Sequence, residues 1–185
     1  MTDPCRPYRQ LARNAVLANR RLHLACAALR PGEWQAARIS YFPSIEATLN
    51  HILVVGWFYV DALRGGTLGV AAFKDEIPCR TVAELAAAQQ ALDERLLAFC
   101  DRLVPDQLDR AVHIHRAGRV QVDSVADTLM HLFLHDQHHR GQVHAMLSGS
   151  SVRPPQLDEF FMGDDRAARA GDLAALGRDE AWVMR

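Results

Sequence analysis

The stretch Met130–Leu147, MHLFLHDQHHRGQVHAML, decides how this chain is read, because it holds five of the nine histidines (His131, His135, His138, His139 and His144). Leu129, Leu132, Phe133, Val143, Met146 and Leu147 recur at steps of three and four. That spacing predicts an amphipathic helix. Each helical residue turns about 100°, so His135 and His139 lie about 40° apart and one turn along. Two imidazoles so placed can share one metal ion. His131, Thr128 and Gln142 fall on the same stripe, whereas His144 points to the opposite side. A pair of histidines four apart is common by chance, but this pair sits in an apolar face. An unpaired imidazole among leucines is costly, and a metal ion is one way to satisfy it. A third ligand then has to come from elsewhere in the chain.

Working outward, the 185 residues suit a single domain over 1–185, with a helical bundle at about 6–149 and a tail at 150–185. Lysine plus arginine (21) balance aspartate plus glutamate (22), which gives no basic excess to favour nucleic acid. The N-terminus lacks the charged-then-apolar pattern of a signal peptide. The longest apolar run, Ile52–Val60, has nine residues and contains Gly56, far below the ~20 needed to span a bilayer. No membrane association is expected. The cysteines Cys5, Cys26, Cys79 and Cys100 are widely spaced and form no CxxC. They read as free thiols in a reducing, cytoplasmic setting.

Residues 6–30 predict a first helix ended by Pro31-Gly32, with Leu11, Ala15, Ala18, Leu22, Ala25 and Leu29 on its apolar face. His23, beside Arg20 and Arg21, reads as a surface or edge residue. A second helix is expected from Pro43 to about Arg64, stopped by Gly65-Gly66. His51 lies in its middle among Ala47, Thr48, Val54, Val55 and Phe58, so it points into the core. It becomes the third imidazole. Thr81-Val-Ala-Glu84 forms a capping box that opens a third helix, which runs to about Leu103. That helix carries no Glu-x-x-His, so the paired motifs of a di-iron bundle are absent. From Arg110 to Val122 the period changes to two around Ala117-Gly118, which predicts a short hairpin or an extended excursion with His113 and His115 on one, solvent-facing side. Ser124-Val-Ala-Asp127 opens the fourth helix, and Ser148-Gly149-Ser150 with Pro154-Pro155 forms its exit. In the tail, Phe160 and Phe161 are expected to pack on the bundle or on a partner, ahead of a short helix near Asp165–Leu176.

Four helices, a core histidine in the second and HxxxHRGQ in the fourth resemble the DinB-like (YfiT-like) family of four-helix bundles. The resemblance is carried by Leu49-Asn50-His51, Tyr59-Val60-Asp61-Ala62-Leu63 and Val125–Leu147, and weakly by Pro155-Gln-Leu-Asp-Glu-Phe-Phe. It implies an all-α fold with a β-like excursion before the fourth helix. It also implies metal binding at His51, His135 and His139, the same three residues that the helical-face argument selects. The ion would be nickel or zinc, with iron or manganese as alternatives. A homodimer is implied, as is a thiol S-transferase that uses a low-molecular-weight thiol and an electrophilic small molecule, or a small-molecule hydrolase. The alternative is a non-catalytic, metal-stabilised dimeric module for stress response or binding. The family's name implies no DNA binding.

Three neutral nitrogen ligands leave a coordination position open, as in catalytic zinc sites. Gln142 is then a candidate to orient a ligand, His138 reads as partly exposed, and Arg140 is expected to point away into an ion pair or a dimer contact. A rival reading takes His135-Asp136-Gln137-His138-His139 as a variant of HExxH, with Asp136 as general base and Glu159 as third ligand. The shorter aspartate and the intervening Pro154-Pro155 weigh against it.

Overall fold

A computed structural model describes residues 3–158 and 162–185. Four long helices dominate: α1 (Arg6–Ala27), α2 (Ile45–Leu63), α3 (Val82–Asp101) and α4 (Val125–Ser148). A hairpin of β1 (Ala111–Arg116) and β2 (Arg119–Ser124) precedes α4, and two short helices follow, α5 (Arg166–Ala175) and α6 (Glu180–Met184). The main packing pairs are α1 with α3 and α2 with α4.

Helix α2 is the central element. Its apolar residues run almost all the way round, and both Leu49–Ile52–Phe58 and Leu53–Val54–Val60 are buried. A helix apolar on every side has to sit inside the fold. It comes close to α3 at Gly56, where an added Cβ would lie 2.4 Å from Leu92 Cδ2. Ser44 caps it, its Oγ accepting from the Ala47 amide at 3.0 Å. Pro43 therefore precedes the cap rather than opening the helix. Gly65, at φ +80°, takes the left-handed turn beyond the helix end, which suits glycine alone among common residues.

The other expected boundaries shift by a few residues. Helix α1 ends three residues before the predicted Arg30, well ahead of Pro31-Gly32. Helix α3 has its reciprocal capping box, Thr81 with Glu84, and ends at Asp101 rather than Leu103. Ser124 caps α4 through the Asp127 amide at 3.0 Å. In the hairpin, His113 pairs with Val122 and His115 with Val120. His113 is exposed, while His115 is half-buried.

The tail is clamped to the bundle. Arg13, 1% exposed, donates from Nε to the Trp182 carbonyl at 2.5 Å and from Nη2 to Asp101 at 2.7 Å. Arg20 and Arg21 both reach Asp172 at 2.8 Å, and Arg169 pairs with Glu180. Helix α6, which the sequence did not announce, buries Trp182 and Val183. Phe160 and Phe161 lie outside the described residues. Among the described residues no helix is long and apolar enough to cross a membrane. All four cysteines are free and buried.

Candidate metal centre

Packing of α2 on α4 brings His51 against His135 and His139. One ring nitrogen from each of the three lies within 4.8 Å of the others. His51 Nε2 and His135 Nε2 are 3.0 Å apart. Ring centroids are 5.0 Å apart for His51 and His135, 4.7 Å for His51 and His139, and 4.4 Å for His135 and His139. Two imidazole nitrogens on one tetrahedral ion with bonds of about 2.0–2.1 Å lie about 3.3 Å apart. The cluster is thus close to the size a small divalent ion requires.

The far nitrogens are held as well. His139 Nδ1 lies 2.8 Å from Gln142 Oε1, and His135 Nδ1 lies 3.3 Å from Asp136 Oδ1. Both partners are acceptors, so each Nδ1 carries the proton and each Nε2 keeps its lone pair for the cluster; this tautomer follows from the hydrogen-bond pattern. Gln142 also reaches His138, with Nε2 3.1 Å from His138 Nε2. Phe42, in the loop ahead of α2, walls the site, its ring 4.3 Å from His51 and 5.6 Å from His139.

Burial favours the neutral form of two of the rings, His51 and His139. His51 is pushed down to about 4, first by desolvation and then by the charges that His135 and His139 would carry. His139 is also lowered, mainly by burial, against the raising effect of Gln142. Neutral imidazole is the form that binds a metal. The donor set and its spacing fit a divalent ion.

The DinB family model matches residues 1–167. This chain belongs to the DinB family. Protein DinB of Bacillus subtilis (strain 168) is 26% identical over 114 residues, which cover 58% of this chain and 65% of that protein, so less than two thirds of the relative is spanned. The crystal structure of the DinB-like protein YjoA from Bacillus subtilis superimposes with a TM-score of 0.55 at 15% identity. That match covers 79% of this chain and 96% of YjoA, and it supports the fold.

The other candidate residues of this DinB-family chain are sorted by the fold. His131, one turn before His135, stays out of the cluster: it is exposed and packs edge-on against Tyr59 at 5.1 Å. Its centroid is 6.4 Å from that of His135. Thr128 turns its hydroxyl onto the Ser124 carbonyl. Asp136, offered as a general base by the HExxH reading, is buried behind His135 and orients that ring. The third imidazole comes from α2, and Glu159 lies outside the described residues.

One expectation is narrowed and one is corrected. Arg140, expected to point away into an ion pair or a dimer contact, lies inside the bundle: it is 2% exposed, donates to Asn19 Oδ1 at 3.4 Å and Gln137 Oε1 at 3.3 Å, and interacts electrostatically with Asp136 and Asp93. Helix α4 is covered on that side by α1, a fact of packing that its own periodicity does not carry. His23 is not at the surface but 8% exposed, and burial lowers it to about 4. The arginines beside it in sequence reach sideways to Asp172 and leave the ring underneath.

Sequence reasoning also missed a buried polar group that backs the cluster. Asp93 accepts from Asn19 at 3.0 Å and from Gln89 at 2.8 Å, Asn19 accepts from Arg140, and Asp93 and Asp136 both act on Arg140 electrostatically. The only signal was polar residues at core spacing: Asn19 on the stripe of Ala12, Ala15 and Leu22, and Asp93 beside Leu92 and Leu96. Phe42 had no signal at all.

Proposed function

We propose that this protein binds one divalent metal ion through His51, His135 and His139 and is a metal-dependent enzyme of the thiol S-transferase or small-molecule hydrolase type. The observation that carries the reading is the convergence of three imidazoles, two of which, His139 and His135, already have their outer nitrogens engaged by Gln142 and Asp136. An ion held by three neutral ligands keeps its full charge and lowers the pKa of a thiol or water that joins it. The chain's own residues supply the rest. Gln142 and Asp136 fix the tautomer and orientation of two rings. Phe42 shields one side from water and leaves a hydrophobic wall for a substrate. Beside His131 a cavity of about 220 Å³, lined by Tyr59, Arg116, Gln121 and Asp123, has room for a small polar substrate. A low-molecular-weight thiol as co-substrate and a homodimeric assembly belong to the same reading.

Elemental analysis of untagged protein beside His51→Ala, His135→Ala and His139→Ala tests the site. The expected result is about one nickel or zinc per chain in the wild type and loss in each variant. Full occupancy in all three variants would remove the assignment. The non-catalytic alternative predicts a large fall in melting temperature on chelation with no turnover of any thiol–electrophile pair or hydrolysable ester. Chelator-sensitive turnover favours the enzyme.

A further inference from the structure

A second cavity, of about 490 Å³, lies on the other side of the bundle, between α1 and α3, with Ala175, Leu176, Arg178 and Trp182 of the tail at its edge. Its walls are apolar: Val16, Leu24, Ala27, Ala83, Ala86 and Leu97. Its size falls in the range of small-molecule sites. Polar residues interrupt these walls, among them His23 and Asp93, neither of which is a ligand of the metal cluster. His23 lines the cavity, is 8% exposed, and has no hydrogen-bond partner among the described residues. Its ring nitrogens are not fully buried, so they face the space of the cavity. Asp93 lines the same cavity at 6% exposure and accepts hydrogen bonds only from the amides of Asn19 and Gln89 among the described residues. Burial raises its carboxyl to about 7, with Asp136 adding to the rise and Asn19, Gln89 and Arg140 opposing it.

The rim is of mixed sign. Glu94 meets the Gln90 amide and Arg20 pairs with Asp172, while Arg178 lies over the Trp182 ring at 5.5 Å, a contact that leaves its charge in place. An anionic ligand beside Asp93 would meet that carboxylate. A neutral alcohol would add no positive charge to the two carboxylates, Asp93 and Asp136, that share the buried Arg140. We propose that this cavity is a second ligand site, for a small molecule that carries a primary or secondary amine on an apolar body, its nitrogen donating to Asp93 and His23. An ammonium supplies both the positive charge and the several donors that an acceptor-only carboxylate and a neutral imidazole require.

Calorimetric titration of the full chain at about pH 8, where primary amines remain charged, tests the site. The probes are benzylamine, 2-phenylethylamine and cyclohexylmethylamine beside the corresponding alcohols. At least one amine should bind, and its alcohol should bind at least about tenfold more weakly, as loss of a charge-assisted hydrogen bond requires. Asp93→Asn should remove that preference. Ala86→Phe, which fills the cavity from its wall without touching either polar group, should abolish binding. His51→Ala should leave it unchanged, which separates this site from amine coordination at a metal and from the fate of the proposed function. No heat from any amine, equal affinity for amine and alcohol, or binding that survives Ala86→Phe would each overturn the proposal.

Discussion

Gln142 does two things at the scale of one side chain: its Oε1 accepts a hydrogen bond from His139 Nδ1–H and its Nε2 approaches His138. Gln142→Leu removes the acceptor and leaves all three cluster imidazoles in place. Metal affinity is expected to fall about 10–100-fold, as read by competition with a chromogenic chelator; unchanged affinity would make Gln142 a bystander. His23 predicts a pH effect that owes nothing to metal. Its folded-state pKa, about 4, lies below the ordinary 6.5. A depressed histidine contributes stability that is present above about 6.5 and lost as pH falls through 4, because the unfolded chain takes the proton first. At full shift this amounts to roughly 3 kcal/mol. Asp93 acts with the opposite sign, its stability contribution being lost as pH rises toward 7, so the comparison has to be between variants. His23→Leu should flatten the fall of wild-type stability between pH 6.5 and 4 in denaturant titrations, and parallel curves would contradict the burial.

Two helical glycines predict opposite signs at the scale of the element. At Gly56 an added Cβ meets Leu92 Cδ2 at 2.4 Å, so Gly56→Ala forces α2 and α3 apart or Leu92 to move. A loss of about 1–3 kcal/mol is expected. Gly141, on α4, has nothing within 4 Å of such a Cβ. Gly141→Ala should therefore gain up to about 1 kcal/mol of helix propensity. Thermal melts of both metal-free variants give the comparison. The capping box of α3 is an independent element: Thr81→Ala should cost about 1 kcal/mol. Helix existence was readable from apolar period in all four cases, with caps as well at α3 and α4, because both signals are local in sequence. Helix ends were less so. Pro31-Gly32 forbids helix beyond it but does not require helix up to it, and Ser44 outranked Pro43 because only a side-chain oxygen can satisfy a first-turn amide.

The whole molecule is closed by its C-terminal segment. Arg13 bridges α1 to the Trp182 carbonyl and to Asp101, and Arg169 ties α5 to α6 through Glu180. Arg13→Met keeps much of the packing and removes both bonds. It should lower stability by about 1–3 kcal/mol, since a buried carbonyl loses its donor. It should also speed proteolytic release of the segment after α4, whereas resistance equal to wild type would show that apolar packing of Trp182 suffices. The metal reading belongs to this scale too, because its ligands come from two helices that only the assembled bundle brings together. Chelation should lower the melting temperature of metal-loaded wild type and leave His51→Ala unmoved.

By itself the sequence determined the helical bundle, the hairpin before α4 and the identity of three core-facing histidines. These rest on periodicity, caps and turn residues, which act over a few positions and leave their mark in order along the chain. His51 joined His135 and His139 on paper only through the resemblance and the shared need of buried imidazoles for a partner. Which nitrogens meet, and at what distance, was decided by the packing of α2 on α4. Tertiary structure alone decided that His131 stands aside, that Arg140 and His23 are buried, that Phe42 walls the cluster, and that Asn19, Asp93 and Arg140 form one polar group. Each of these depends on which neighbouring helix covers a face, and a residue's own helix records only that it has a face to cover.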